Sequence, residues 1–174
     1  RNSTDTAMSG VNVNLALASG QVINDGFGNT ENAISIEELR GSDAADIFRG
    51  NAQTNVIEGR EGADTLTGQG GRDFFNFYRQ DEMSSGTDRV TDFAATGPGA
   101  DWLAFGYENW TNMTTTVRVV NGSAATTTFG TFLFINATDQ LIWDANGTGA
   151  GGQTLVAILT GVTSLSVDNF EMWG

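Results

Sequence analysis

Between residues 41 and 76 the chain repeats itself every nine residues. The four blocks read GSDAADIFR, GNAQTNVIE, GREGADTLT and GQGGRDFFN. Gly41, Gly50, Gly59 and Gly68 open them, Asp46, Asn55, Asp64 and Asp73 hold the sixth place, and Phe48, Ile57, Leu66 and Phe75 hold the eighth. A short fixed period constrains a fold severely, because every block takes the same conformation and stacks on its neighbours. The first six residues of a block predict a tight turn, in which glycine permits positive φ and close backbone approach. The last three predict a short strand with its one large apolar side chain pointing inward. Two blocks then complete one coil of a flattened right-handed parallel β-roll. Blocks eighteen residues apart therefore lie directly over one another.

That stacking places the turn of Asp46 over that of Asp64, and the turn of Asn55 over that of Asp73. Phe48 stacks on Leu66 and Ile57 on Phe75 as a thin core. The chain has 21 Asp and Glu against 8 Lys and Arg, and no His or Cys. Soft metals such as zinc lose their usual ligands, and a hard cation held by oxygen, above all Ca2+, remains. Each stacked pair offers two sixth-position side chains together with turn carbonyls. The candidate donors are Gly41, Asp43 and Asp46; Gly50, Ala52 and Asn55; Gly59, Glu61, Gly62 and Asp64; and Gly68, Gly70, Gly71 and Asp73. About six oxygens can surround one ion in this way. Asp46/Asp64 is the better pair, with two formal charges against one for Asn55/Asp73. Without the ion the stacked carboxylates and bare carbonyls repel, so cation binding is expected to be coupled to folding.

Composition narrows function as well. A net charge of −13 argues against nucleic acid and against anionic lipid as partners. No apolar run is long enough to insert into a membrane. Without His and Cys, a Ser-His-Asp triad, a Cys-His pair and an HExxH zinc site are all impossible within the chain. Paired-carboxylate chemistry alone survives, and the acidic residues are already accounted for as ligands. The chain reads as a non-catalytic module. It begins at Arg1, which suggests a piece of a longer protein with a parent domain, catalytic or not, on its N-terminal side.

Outside the repeat the pattern is all-β. Val11, Val13, Leu15 and Leu17 alternate as on one strand face, and residues 33–39 read as extended, with Ile34, Ile36 and Leu39 leading into the repeat. Leu39 lies nine residues before Phe48, so the period can begin one block early. Beyond residue 77 short Thr-, Val-, Phe- and Ile-rich runs alternate with Gly-rich turns, and no amphipathic helix longer than two turns is expected. The expected organisation is one domain: N-terminal strands over 1–40, the calcium roll over 41–77 and a β-rich C-terminal cap over 78–174. Asp144-Ala145-Asn146-Gly147 begins like an EF-hand loop but lacks the closing glutamate, and reads as an Asx-stabilised hairpin turn. Asn2-Ser3-Thr4, Asn109-Trp110-Thr111 and Asn121-Gly122-Ser123 match the glycosylation sequon.

The repeats resemble those of RTX proteins, the type I-secreted calcium proteins that include serralysin-type proteases and alginate epimerases. Residues 10–42 are similar to the segment that precedes such repeats, DRVTDFAATGPGADWLAF at 88–105 to the pattern that closes the roll, and 140–165 to the terminal hairpin. The resemblance implies bacterial type I secretion led by the C-terminus and folding outside the cell, where calcium is plentiful. It also implies an extra calcium where roll meets cap, for which Asp81 and Asp88, with Asp92 nearby, are the candidates. A module of this kind supports export or stability of its parent. The alternative is a calcium-dependent polysaccharide-binding module, in which exposed Trp102, Tyr107, Trp110 or Trp143 would stack on sugar rings. Buried, the same aromatics would form the core of the cap.

Overall fold

A computed structural model describes residues 9–174, so the sequon at Asn2 lies outside the described residues. Among the described residues fourteen short strands follow one another: β1 Asn12–Asn14, β2 Val22–Asn24, β3 Glu38–Arg40, β4 Ile47–Arg49, β5 Val56–Glu58, β6 Thr65–Thr67, β7 Phe74–Phe77, β8 Asp88–Val90, β9 Trp102–Gly106, β10 Val119–Asn121, β11 Thr131–Ile135, β12 Gln140–Asp144, β13 Gln153–Leu159 and β14 Phe170–Trp173. The helical segments among the described residues are single 3-10 turns.

The strands form two sheets, ordered β10-β11-β12-β13-β8-β6-β4-β1-β2 and β14-β9-β7-β5-β3. Within the repeat the pairing is parallel and in the expected register. Phe48 lies opposite Leu66, and Ile57 opposite Phe75. Consecutive blocks therefore alternate between sheets, which is the geometry of a parallel β-roll. Leu39 pairs with Ile57, so the period does begin a block early.

The same ladder runs past the repeat. Leu66 pairs with Val90 and Val90 with Leu159 in one sheet, while Phe75 pairs with Leu103 and Leu103 with Phe170 in the other. At the other end Val13 lies opposite Phe48. These residues form two apolar columns down the inside of the roll, and all of them are buried. A fully buried Val, Leu, Ile or Phe side chain contributes about 1.5–3 kcal/mol, so the stacked columns are the main hydrophobic support of such short strands. At the C-terminal end the core widens into aromatic packing, with Phe105 against Phe132 at 4.8 Å and Phe132 against Phe170 at 4.5 Å between ring centroids. The hairpin of β12 and β13 is antiparallel, as is the pair β11 and β12, and together they cover one flank of this core.

Two local expectations fail. The extended run through Ile34 and Ile36 does not form, because Ser35 adopts a left-handed φ of 56° and turns the chain, leaving Ile34 76% exposed. Leu17 does not join the face of Val13. Strand β1 ends at Asn14, whose side chain accepts from the Ala16 N–H and turns the backbone outward.

Candidate metal centre

The turns of the roll carry a second ladder, made of carboxylates. The Asp46 N–H donates to Oδ1 of Asp64 at 2.7 Å, and the Asn55 N–H donates to Oδ1 of Asp73 at 2.8 Å. Each bond joins one coil to the next and satisfies a buried backbone donor. The pattern continues where the nine-residue count stops. Asp64 N–H donates to Oδ1 of Asp88 at 3.0 Å, and Asp73 N–H to Oδ1 of Asp101 at 2.8 Å. At the N-terminal end the Val11 N–H reaches Oδ1 of Asp46. Asp46, Asp64 and Asp88 thus form one column, and Asn55, Asp73 and Asp101 the other, all of them buried.

Glycine is required where these turns touch. A Cβ on Gly59 or Gly68 would overlap the carboxylate of Asp64 or Asp73 in the same block, and a Cβ on Gly62 or Gly71 would overlap the carbonyl of Ala44 or Gln53 one coil earlier. Gly86 lies on Gly62, and Gly99 on Gly71, in the same way. Residues 83–88 and 96–101 are therefore two further turns of the roll, each with glycine fourth and aspartate sixth.

The turns come in two forms. In the first two blocks the second residue closes the turn on the sixth: Ser42 N–H donates to Oδ2 of Asp46 at 2.7 Å, and Asn51 N–H to Oδ1 of Asn55 at 2.8 Å. In the next two blocks the second residue is left-handed instead, with φ of 72° at Arg60 and 71° at Gln69. Its N–H turns away from the carboxylate, and Oδ2 of Asp64 and Oδ2 of Asp73 are left buried with no hydrogen-bond partner. An unpaired carboxylate oxygen in the interior is costly unless a cation or a proton meets it. Burial, the largest influence, raises both carboxyls to about 6, with the Asp46 charge acting on Asp64 and those of Asp101 and Asp92 on Asp73. Burial and the Asp64 charge push Asp88 to about 8.

Among the described residues no three acidic side chains converge on one point. Side chains alone do not complete a cage, and backbone carbonyls of the turns must supply the remaining oxygens. An all-oxygen donor set with carboxylates in the minority suits a hard cation of Ca2+ size. The orphaned oxygens of Asp64 and Asp73 fit such an ion.

The remaining expected site residues separate into those on the ladder and those off it. Asp43 and Glu61 have exposed side chains, Asp43 being 3.4 Å from Arg60, so any contribution from them comes through the backbone, as for Gly41, Gly50, Ala52, Gly70 and the other turn residues. Asp81 is exposed and ion-paired with Arg79 at 2.6 Å, which holds its carboxyl below the usual range. It is not stacked with Asp88, which sits on the ladder. Asp92 caps the N–H groups of Gly68 and Gln69. Asp101 was not among the expected ligands. Its signal was in the sequence, because it stands two residues before buried Leu103 as Asp73 stands two before Phe75.

The aromatics divide as well. Trp110 and Trp143 are buried and donate their indole N–H groups to the carbonyls of Phe77 and Thr111. They belong to the core of the cap, which corrects the reading of them as exposed sugar platforms. Trp102 and Tyr107 are half-buried. Asp144 accepts from Asn146 N–H and from Gln153, as an Asx turn does.

A parallel roll with stacked, buried and unpaired carboxylates in its turns defines a cation-binding β-roll. Residues 40–75 match the family model of the RTX calcium-binding nonapeptide repeat, in four copies, and the chain carries an RTX calcium-binding domain whose cofactor is Ca2+. No curated protein matched the chain. Repeats of this kind are typical of secreted bacterial proteins and are generally non-catalytic. Among the described residues no helix is long and apolar enough to cross a membrane.

Proposed function

We propose that this domain is a calcium-triggered folding module of a protein exported by the type I route, which orders outside the cell and stabilises the larger parent to which it is joined. The observation that carries the reading is the pair of buried, unpartnered oxygens on Asp64 and Asp73. In a calcium-poor compartment these carboxylates oppose closure of the roll. Bound Ca2+ supplies the positive charge that the stack lacks. The chain's own residues do the rest: glycines allow the turns to approach, backbone N–H groups orient one oxygen of each carboxylate, and the apolar columns hold the coils in register.

The test is a calcium titration of the chelated protein followed by far-UV circular dichroism and calorimetry. Strand signal and a cooperative melt that both depend on calcium are expected. A chelated protein that keeps its full strand signal and melting temperature would overturn the reading.

Calcium-dependent polysaccharide binding is the second reading. It is supported by half-buried Trp102, whose ring lies 5.2 Å from the Arg72 guanidinium beside a surface cleft formed with Ser166 and Asp168. Native affinity electrophoresis through alginate, pectin or xylan, with calcium and with chelator, checks it. Retardation that requires calcium and is lost in Trp102→Ala supports it, and unchanged mobility in every gel removes it.

A further inference from the structure

The outer face of the smaller sheet carries exposed aromatic surface. Leu103 and Phe105 of β9 point inward and are fully buried, so Trp102, Ala104 and Gly106 lie on the outer face. Phe74 of β7 stands beside Trp102, and Trp173 of β14 stands beside Gly106. Two aromatic stations result. At the first, the rings of Phe74 and half-buried Trp102 meet edge to face at 5.0 Å, next to the cleft with Ser166 and Asp168. At the second, Tyr78 and Trp173 line a shallow cleft together with Gly106, and they are 48% and 38% exposed. A Cβ on Gly106 would strike the Tyr78 ring, so glycine lets that ring lie against the strand. The stations are four residues apart on β9, about 13 Å along an extended strand.

Both edges of β9 are already paired, to β7 and to β14, so no peptide strand can add to the sheet here. The face offers flat aromatic surface with an acidic rim. Asp168 lines the first cleft, Glu108 the second, and Glu171 lies beside Ala104 between them. The nearby guanidinium groups are occupied. Arg72 donates to the Ala100 and Pro98 carbonyls while lying 5.2 Å from the Trp102 ring, and Arg40 pairs with Glu58 at 2.9 Å. Aromatic faces take the CH faces of sugar rings, and carboxylates accept hydrogen bonds from sugar hydroxyls but repel a polyanion.

We propose that Trp102 with Phe74, and Tyr78 with Trp173, form two subsites for one extended, uncharged polysaccharide chain that lies along β9. A single sugar ring fills one station, and only an oligosaccharide touches both. The proposal rests on the polysaccharide-binding reading of the domain. It adds a second station, it excludes uronate chains such as alginate and pectin, and calcium enters it only by folding the domain.

The test compares the calcium-loaded wild type with Trp173→Ala and Trp102→Ala. Native affinity electrophoresis runs through xylan, hydroxyethyl cellulose and alginate, and calorimetric titration uses xylohexaose and cellohexaose. Retardation in a neutral gel but not in alginate is expected, and each substitution should weaken hexaose binding by roughly tenfold. Unchanged mobility in every gel removes the polysaccharide-binding reading and the proposal with it. Binding that is lost in Trp102→Ala but keeps wild-type affinity in Trp173→Ala leaves that reading standing and overturns the two stations, as does retardation in alginate alone. A wild type that dimerises, with Trp173→Ala a monomer, overturns the proposal in favour of a second copy. Because a substitution can disturb folding, the four indole N–H signals of 15N-labelled wild type are followed during the hexaose titration. Shifts at Trp102 and Trp173 support the proposal when Trp110 and Trp143, bonded to the Phe77 and Thr111 carbonyls, stay unmoved. Shifts at Trp102 alone, or at none, overturn it.

Discussion

The Asp46 N–H and the Asp64 carboxylate meet eighteen residues apart at 2.7 Å, and Asn55 and Asp73 repeat the same bond at 2.8 Å. Replacing Asp64 or Asp73 by alanine therefore orphans one buried backbone donor in either case, a cost of about 1–3 kcal/mol. The difference between the variants reports the ion. Asp64 has carboxylates on both sides of it, Asp46 and Asp88, whereas Asp73 has Asn55 on one side. In calcium, Asp64→Ala is expected to lower the melting temperature more than Asp73→Ala. Equal melting temperatures and equal calcium affinities would contradict the pairing.

Stability without calcium should depend on pH in an unusual direction. Burial raises Asp64 and Asp73 to about 6 and Asp88 to about 8 from an unfolded value of 3.8. A carboxyl with a raised folded pKa binds its proton more tightly in the fold than in the unfolded chain. Its contribution is complete below the unfolded value and is lost as pH rises through the folded one. In chelator the melting temperature is expected to fall steadily between about pH 4 and pH 8. Calcium, which replaces the protons, should abolish or reverse that slope. Melting scans at stepped pH with and without chelator decide it.

Asn55 is the one amide among the sixth-position residues of the four blocks, and its Nδ2 is buried without an acceptor. Asn55→Asp keeps the acceptor for Asn51 and adds a charge to the Asp73 column. The calcium midpoint of folding is expected to fall by roughly fivefold, with the chelated form destabilised. Circular dichroism over a calcium series measures both.

The left-handed second position gives a prediction of opposite sign at two neighbours. Arg60 sits at φ 72°, where a side chain costs about 1–2 kcal/mol that glycine avoids, and part of that gain is offset by the greater unfolded freedom of glycine. Its ion pair with Asp43 is exposed and contributes little. Arg60→Gly is expected to raise the melting temperature by about 1–3 °C. Gly62→Ala, at φ 118° and with its Cβ against the Ala44 carbonyl, should destabilise by more than about 2 kcal/mol. Thermal melts of the two proteins check both signs.

The repeat itself was fully legible, down to the pairing of Phe48 with Leu66 and of Leu39 with Ile57. A constant nine-residue period admits only one stacking, and both columns follow from it. Asp88 and Asp101 were harder to place because insertions stretch the spacing from eighteen to 24 residues in one column and from eighteen to 28 in the other. A period search stops at the first insertion, although the local pattern of aspartate two residues before a buried apolar residue survives. The closing bonds from Ser42 and Asn51, and their absence at Arg60 and Gln69, depend on backbone φ and have no counterpart in the period. The fate of Trp110 and Trp143 was not legible either, since strand alternation gives a face but not which other strand covers it.

Every ladder bond described above points the same way: the amide belongs to the earlier coil and the carboxylate to the later one. The stack is thus a polar object, and its two directions of assembly are unequal. A chain shortened from the N-terminal side loses donors and leaves carboxylates that water can serve. A chain shortened from the C-terminal side leaves amides pointing into the interior with nothing to receive them. Each coil is the footing for the one that precedes it in sequence, so a chain that has to build itself from a portion at a time does best when its last coils are free first.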